Sequence, residues 1–173
     1  MKNLIVSLFL IVVTLALTAQ NNATKSEFSS ATILIGNVVQ DLEKSIDFYT
    51  NIIGMTQTGE FSVDKAKATE LGLSDKFTLD VAVLKLEDSP NATEWKLMSL
   101  GKKAGHKKPK WIHDDTGMQY ITIFVNHLNP FIERIKKHNV EILSGEPSKL
   151  GDNKYFILVQ DPDGTFIELI GPK

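Results

Sequence analysis

The sequence predicts an α+β domain built from two tandem βαβββ modules with a mixed sheet. Two internal repeats carry this prediction. The apolar segment 33–42 matches 119–128 at an offset of 86 residues, and the proline-turn segment 89–98 matches 161–170 at an offset of 72 residues. Each copy has a strand that runs into a helix, and later a turn followed by a strand. The order strand, helix, strands therefore occurs twice.

The two long helices are predicted from their ends and their apolar faces. The first begins near Asp41, whose carboxylate can accept hydrogen bonds from free backbone N–H groups, and ends at Gly54. The second begins at Asn129, with Pro130 where a missing N–H costs nothing, and ends at Asn139. The buried faces are expected to hold Leu42, Ile46, Tyr49 and Ile53 in the first helix, and Leu128, Ile132 and Ile135 in the second.

The remaining strands are expected at 57–63, 78–86, 93–100, 140–143, 155–160 and 165–170. Because the two offsets differ, the first module carries an insertion. Asp64 and Gly72 bound a short helix predicted over residues 65–71.

The N-terminal segment has the pattern of a secretory signal. Lys2 precedes an apolar run over residues 4–17, and Ala19 offers a small residue for cleavage. The run is shorter than the roughly 20 residues that span a bilayer, although a retained anchor remains the alternative. We therefore expect a secreted or periplasmic protein with a signal peptide over 1–19, a disordered leader over 20–30 and one domain over 31–173.

Composition narrows the classes of function. The net charge of −2 gives no argument for binding nucleic acid, and the absence of cysteine excludes disulfides, thiol catalysis and a lipid-modified N-terminal cysteine. Residues 101–115 form a basic linker between module one, about 31–100, and module two, about 116–173. This linker is either a solvated connection or a flap that brings its lysines, His106 or His113 to an anionic ligand.

Two stretches resemble a known superfamily. Residues 39–49, VQDLEKSIDFY, resemble the opening strand and helix of the glyoxalase/bleomycin-resistance/extradiol-dioxygenase, or vicinal-oxygen-chelate, domains, and residues 161–169, DPDGTFIEL, resemble their closing hairpin. The resemblance covers essentially the whole mature chain. It implies a cupped sheet in which first and last strands usually hold a divalent metal. Members include lyases, epimerases, dioxygenases and fosfomycin-modifying enzymes, as well as metal-free drug-binding proteins.

When the sequence is aligned with the pattern of this superfamily, the four metal positions hold Leu34, Lys96, Tyr120 and Glu168. Leucine has no donor atom, lysine is a cation and a neutral phenol is a poor ligand, so only Glu168 suits a metal. We expect no metal there, with a divalent cation as the alternative. A Lys96–Glu168 ion pair is the hypothesis for what replaces it. The alternative is that Lys96 turns outward and Glu168 forms hydrogen bonds.

Glu168 and Tyr120 are the candidate catalytic groups, as a general base and as a proton donor. An inward tyrosine can equally be core packing. Gly36 is expected to leave room for a ligand. The predicted ligand-binding residues are Lys96, Glu168, Tyr120, Leu34, Gly36, Thr122, Phe124 and Met98.

The resulting prediction is an exported glyoxalase-like protein that binds a small molecule in the cup without the usual metal. The alternative is a metal-dependent lyase, epimerase or dioxygenase with an altered ligand set; a domain with a filled cup is a third reading. No nucleophilic triad, phosphate loop or dinucleotide fingerprint is present, so whether the protein is an enzyme stays open. Because family members often pair modules between chains, a homodimer is a further expectation.

Overall fold

The computed structural model describes residues 27–102, 105 and 107–173. Residues 32–173 form one compact unit. The predicted signal peptide, most of the predicted leader and His106 lie outside the described residues. In the described part, no helix combines the length and the apolar character needed to cross a membrane.

The elements follow the predicted order twice. The first module contains β1 (Ile35–Val38), α1 (Leu42–Asp47), a π-helix (Phe48–Ile53), β2 (Thr56–Val63), α2 (Lys65–Glu70), β3 (Leu79–Lys85) and β4 (Trp95–Ser99). The second contains β5 (Tyr120–Phe124), α3 (Asn129–Lys137), β6 (Ser148–Gly151), β7 (Lys154–Gln160) and β8 (Phe166–Gly171). A 3-10 turn at Ile112–Asp114 lies in the linker.

Each module forms one four-stranded sheet, in the orders β1-β4-β3-β2 and β5-β8-β7-β6. In both sheets the first and last strands of the module pair in parallel, and the other neighbours are antiparallel. The two modules thus share one topology, which confirms the predicted α+β fold of two βαβββ units.

The predicted helix ends are correct. The Asp41 carboxylate accepts a 3.0 Å hydrogen bond from the N–H of Lys44, and Asp64 caps α2 in the same way. Gly54 and Asn139 take positive φ angles of 89° and 55° where the two long helices end, a conformation that glycine and asparagine adopt at lowest cost.

The end of the first helix differs from the sequence prediction. Residues Phe48–Ile53 continue α1 as a π-helix. Arg134 of α3 donates hydrogen bonds to the backbone oxygens of Ile52, at 2.8 Å, and of Ile53, at 3.4 Å. A side chain of the second module therefore satisfies carbonyl groups that the helix end leaves without a partner.

The predicted strand over 140–143 is wrong, because the sixth strand is Ser148–Gly151. The N–H of Val140 still bonds to Ile135 of α3, and a single backbone bond of 2.7 Å joins Leu143 to Leu158 of β7. Val140 and Ile142 pack against the core from an irregular segment. Their apolar character reflects burial and not strand pairing.

One continuous core joins both modules. It lies between the helices and one face of each sheet, with Leu84 and Leu97 from the first module and Ile157 and Leu169 from the second all fully buried. A smaller cluster lies on the opposite face of the first sheet, where Ala68 of α2 covers Leu79 and Val81 together with Met98.

Candidate functional site

The predicted site residues of each module share one sheet face. The parallel pairing of β1 with β4 sets Gly36 beside Lys96, and that of β5 with β8 sets Thr122 beside Glu168. Because side chains alternate across a strand, these residues point away from the main core. Tyr120 and Phe124 lie on the same face as Thr122, Met98 lies with Lys96, and Leu34 directly precedes β1.

Glu168 is held by its neighbour in the parallel pair. The hydroxyl of Thr122 donates a 2.5 Å hydrogen bond to one Glu168 carboxylate oxygen. The Glu168 side chain is half-buried, while Thr122 is exposed. The carboxylate therefore has one oxygen engaged by protein, and its remaining acceptor capacity faces a partly open surface.

Lys96 turns towards its own sheet. Its amino group lies 3.6 Å from the Glu94 carboxylate and 5.7 Å from the centre of the Phe61 ring on β2. Lys85 also approaches Glu94, at 3.8 Å.

The expected Lys96–Glu168 ion pair is therefore wrong. Among the described residues, no ion pair joins these two side chains. Glu94 stands two residues before Lys96 in the chain, so this carboxylate is reached without spanning the two modules.

The space beside Gly36 is already filled. A Cβ atom at Gly36 would lie 3.0 Å from the terminal methyl of Met98. Met98 also packs on the small cluster beneath α2. A ligand would have to displace this methyl to enter. The absence of a side chain at Gly36 therefore makes room for Met98.

Several apolar side chains on or beside these faces are exposed. Leu34 is 53% exposed, Tyr120 48% and Phe124 73%, and Val38 and Phe61 are exposed as well. Single exposed apolar residues are common, and Tyr120 and Phe124 together expose apolar area on one face of β5. The ligand-binding and catalytic roles assigned to the predicted residues remain predictions.

The four family positions do not fit a divalent metal. Leu34 offers no donor, the Lys96 amine is paired with Glu94, and Glu168 is hydrogen-bonded to Thr122. Nowhere in the described ranges do three or more His, Asp or Glu side chains gather in a way that could hold a metal ion. These positions therefore offer too few donor atoms to bind zinc, nickel or manganese.

The structure also reveals a buried carboxylate that the sequence reading treated only as part of a turn. Asp161 is fully buried. One of its oxygens accepts the backbone N–H groups of Asp163, Gly164 and Thr165 at 2.7–3.0 Å. The other accepts the Tyr49 hydroxyl at 2.9 Å. Burial, followed by the charge of Asp161, raises the pKa of the Tyr49 phenol well above its ordinary value.

A pocket of about 670 Å³ lies on the helix-bearing side and contains none of the predicted site residues. Lys44 of α1 and Lys108 and Lys110 of the linker contribute to its walls. The basic linker was the sequence signal for it, but nothing in the sequence showed where the linker runs.

Comparisons with known proteins agree with this architecture. The family profile described as Glyoxalase/Bleomycin resistance protein/Dioxygenase superfamily matches residues 34–169. A glyoxalase family protein from Bacillus cereus superposes with a TM-score of 0.70 at 17% identity, over 86% of this chain and 97% of the other. The trypanothione-dependent glyoxalase I of Leishmania major gives 0.61 at 25% identity, over 83% and 87%.

An antibiotic-binding protein from a Streptomyces species gives a TM-score of 0.57 at 15% identity, over 86% of this chain and 100% of the other. No curated protein sequence matches the chain significantly. The family profile covers most of the chain and coincides with the two modules seen in the structure. The chain therefore belongs to the glyoxalase/bleomycin resistance protein/dioxygenase superfamily.

Proposed function

We propose that this protein is an exported binding protein that takes up a small amphipathic molecule on the open sheet faces, without a divalent metal at the family position. One observation carries the proposal. The only carboxylate among the four family positions, Glu168, is hydrogen-bonded to Thr122, and the lysine at the equivalent place, Lys96, is paired with Glu94. A cation at Glu168 would meet too few donors.

The surface favours a ligand with an apolar body. Exposed Leu34, Tyr120 and Phe124 supply apolar contact area, which contributes roughly 25 cal/mol for each Å² removed from water. Glu168 supplies an acceptor already oriented by Thr122. The matching ligand is an apolar, ring-bearing molecule with at least one hydroxyl or amino donor. The antibiotic-binding Streptomyces protein supports this assignment by showing that the fold serves binding in one case.

Metal analysis and ligand screening together test the proposal. We expect the purified protein to hold no stoichiometric metal and to keep its melting temperature after treatment with a chelator. A screen of ring-bearing amines and alcohols by thermal shift should give hits, because a ligand that binds only the folded state stabilises it.

Two variants locate the site. Glu168→Ala and Thr122→Val should weaken the best hit about tenfold, as loss of a hydrogen bond to a charged acceptor predicts. The exposed α3 variant Glu133→Ala is the matched control and should leave binding unchanged. Stoichiometric zinc, nickel, manganese or iron that is lost in Glu168→Ala would overturn the proposal and favour a metal-dependent lyase, epimerase or dioxygenase.

Export and self-association are separate parts of the proposal. The N-terminal charge and apolar run support export, and membership of a superfamily in which modules often pair between chains supports a second copy. Fractionation with N-terminal sequencing should find a mature chain that begins at Gln20. Sedimentation analysis should find a dimer, and a monomer at all concentrations would contradict the second copy.

A further inference from the structure

We propose that the pocket on the helix-bearing side is a second binding site, for a small organic monoanion with an apolar tail such as a carboxylate of a fatty or arylalkyl acid. The pocket has a volume of about 670 Å³, within the range of roughly 300–1,000 Å³ typical of small-molecule sites. It is separate from the sheet faces that carry Glu168 and Tyr120.

The pocket is formed by α1, the π-helix, the segment after α3, the linker and the β7–β8 turn. The π-helix contributes Phe48 and Ile52, the segment after α3 contributes Val140 and Leu143, and the linker contributes its residues 108–110. The π-helix is a rare element that often marks a functional position. Apolar side chains from both modules thus face the same space.

Charged groups lie among these apolar walls. Lys44, Lys108 and Lys110 are cations, and the His138 imidazole also lines the pocket. Asp47 and Glu141 are the acidic counterparts, and Asp47 already accepts a 2.6 Å hydrogen bond from Asn51.

The charge balance selects the class of ligand. Three carboxylates, including that of Asp161, line the pocket together with the three lysines. In the part of the chain that the structure describes, none of these lysines forms an ion pair. The charge of Asp161 is offset by the donors of its own turn and of Tyr49, which its buried oxygens accept, so it is not available to pair with the lysine amines. A head group with one negative charge can pair with these amines, whereas a dianionic phosphate would bring more negative charge close to Asp47 and Glu141.

The linker is held in place at the rim. The Lys108 amine donates a 3.0 Å hydrogen bond to the backbone oxygen of Asp161. The Gln160 amide donates to the backbone oxygens of Pro109, at 2.8 Å, and Gly164, at 3.0 Å. The backbone that carries the two linker lysines is therefore bonded to the β7–β8 turn. This restraint reduces the entropy lost when a ligand binds.

The internal repeat allows a comparison with a second pocket of the same scaffold, which has no lysine among its described lining residues. A pocket of about 370 Å³ occupies the related position of the other half, where Pro130, Ile53 and Gly54 stand at the repeat equivalents of Lys44, Asn139 and Val140. No Lys, Arg, Asp or Glu is among its lining residues in the described part of the chain. The charges are thus specific to one of two similar pockets, which a purely structural role does not explain.

Calorimetric titration of the purified full chain with octanoate tests the inference, with octanamide and octylamine as neutral and cationic probes. Octanoate should bind, and both other probes should bind at least tenfold more weakly. Raising the salt concentration should weaken the binding of octanoate, since salt screens the attraction between exposed charges. An assigned NMR spectrum should show shifts at the amides of Ile52 and Val140.

A matched pair of double variants keeps the test specific. Lys44→Gln with Lys110→Gln should weaken octanoate about tenfold, which corresponds to two partly screened ion pairs. Lys137→Gln with Lys149→Gln removes the same charge from exposed positions that do not line the pocket, and should change affinity less than about twofold. Unchanged melting temperatures would show that all variants remain folded.

Three results would overturn the inference: no binding of octanoate, an equal loss in both double variants, or shifts confined to the strands that carry Thr122 and Glu168. The last result would place the ligand in the site of the proposed function. Conversely, octanoate bound at the helix-side pocket together with stoichiometric metal at Glu168 would contradict the proposed function alone.

Discussion

The phenol of Tyr49, in the helix of the first module, donates a 2.9 Å hydrogen bond to Asp161 in the β7–β8 turn of the second. Both side chains are fully buried. The same carboxylate accepts three backbone N–H groups of its own turn. One acidic group therefore organises a hairpin and ties it to the other module. A buried charge is tolerated here because it is surrounded by donors.

Replacing Tyr49 with phenylalanine should lower the free energy of unfolding by about 2 kcal/mol at neutral pH, because a buried carboxylate oxygen loses a donor. Chemical denaturation measures this loss. The exposed variant Tyr120→Phe is the control and should change stability by less than about 0.5 kcal/mol.

The stability difference between the wild-type protein and Tyr49→Phe should depend on pH. The pKa of the Tyr49 phenol is raised in the folded protein above its ordinary value of 10.0, so the unfolded chain loses this proton first. The stability that Tyr49 contributes is complete below pH 10 and falls as the pH rises beyond it. The difference between wild type and Tyr49→Phe should narrow above pH 10; a constant difference would contradict the assignment.

Removing the carboxylate itself should be more severe. Asp161→Ala leaves three backbone N–H groups and the Tyr49 hydroxyl without their acceptor, and we expect a loss of about 4 kcal/mol or failure to fold. Asp152→Ala, an exposed change in the neighbouring β6–β7 hairpin, should cost less than about 0.5 kcal/mol. Similar melting temperatures for the two variants would refute the role of Asp161.

Two strand glycines should respond differently to a methyl group. A Cβ at Gly171 would lie 2.2 Å from the backbone oxygen of Val125, whereas a Cβ at Gly151 meets nothing within 4 Å. Gly171→Ala should cost about 3 kcal/mol, because backbone must shift to admit it. Gly151→Ala should cost less than about 1 kcal/mol. Thermal unfolding of the two variants gives the comparison, and equal melting temperatures would be the contrary result.

Double-mutant cycles should reproduce the ion pairing seen in the structure. Lys96 and Glu94, which are 3.6 Å apart, should couple by about 0.5 kcal/mol, as expected for a partly exposed pair. Lys96 and Glu168 should be additive within about 0.3 kcal/mol. A larger coupling between Lys96 and Glu168 would restore the ion pair that the sequence had indicated.

The local features of the fold were predictable because they depend on short stretches of chain. Asp41, Asp64, Gly54 and Asn139 mark helix ends through their own side chains or φ preferences. The alternation of side chains along a strand likewise predicted that Tyr120, Thr122 and Phe124 share one face, as the structure shows. The erroneous strand at 140–143 had the apolar pattern of a strand, but burial alone produces the same pattern.

The sequence by itself determined the family, the two modules, the face on which the candidate residues lie and the poor donor set at the metal positions. Tertiary structure alone decided which partner each charged group takes. Lys96 pairs with Glu94 and not Glu168, the Met98 methyl fills the space at Gly36, and the linker lysines come to lie beside the helices. The reason is physical: the face that a strand residue occupies follows from the local alternation of side chains, whereas the energy of a charge or a cavity depends on every group within a few ångströms, wherever it stands in the sequence.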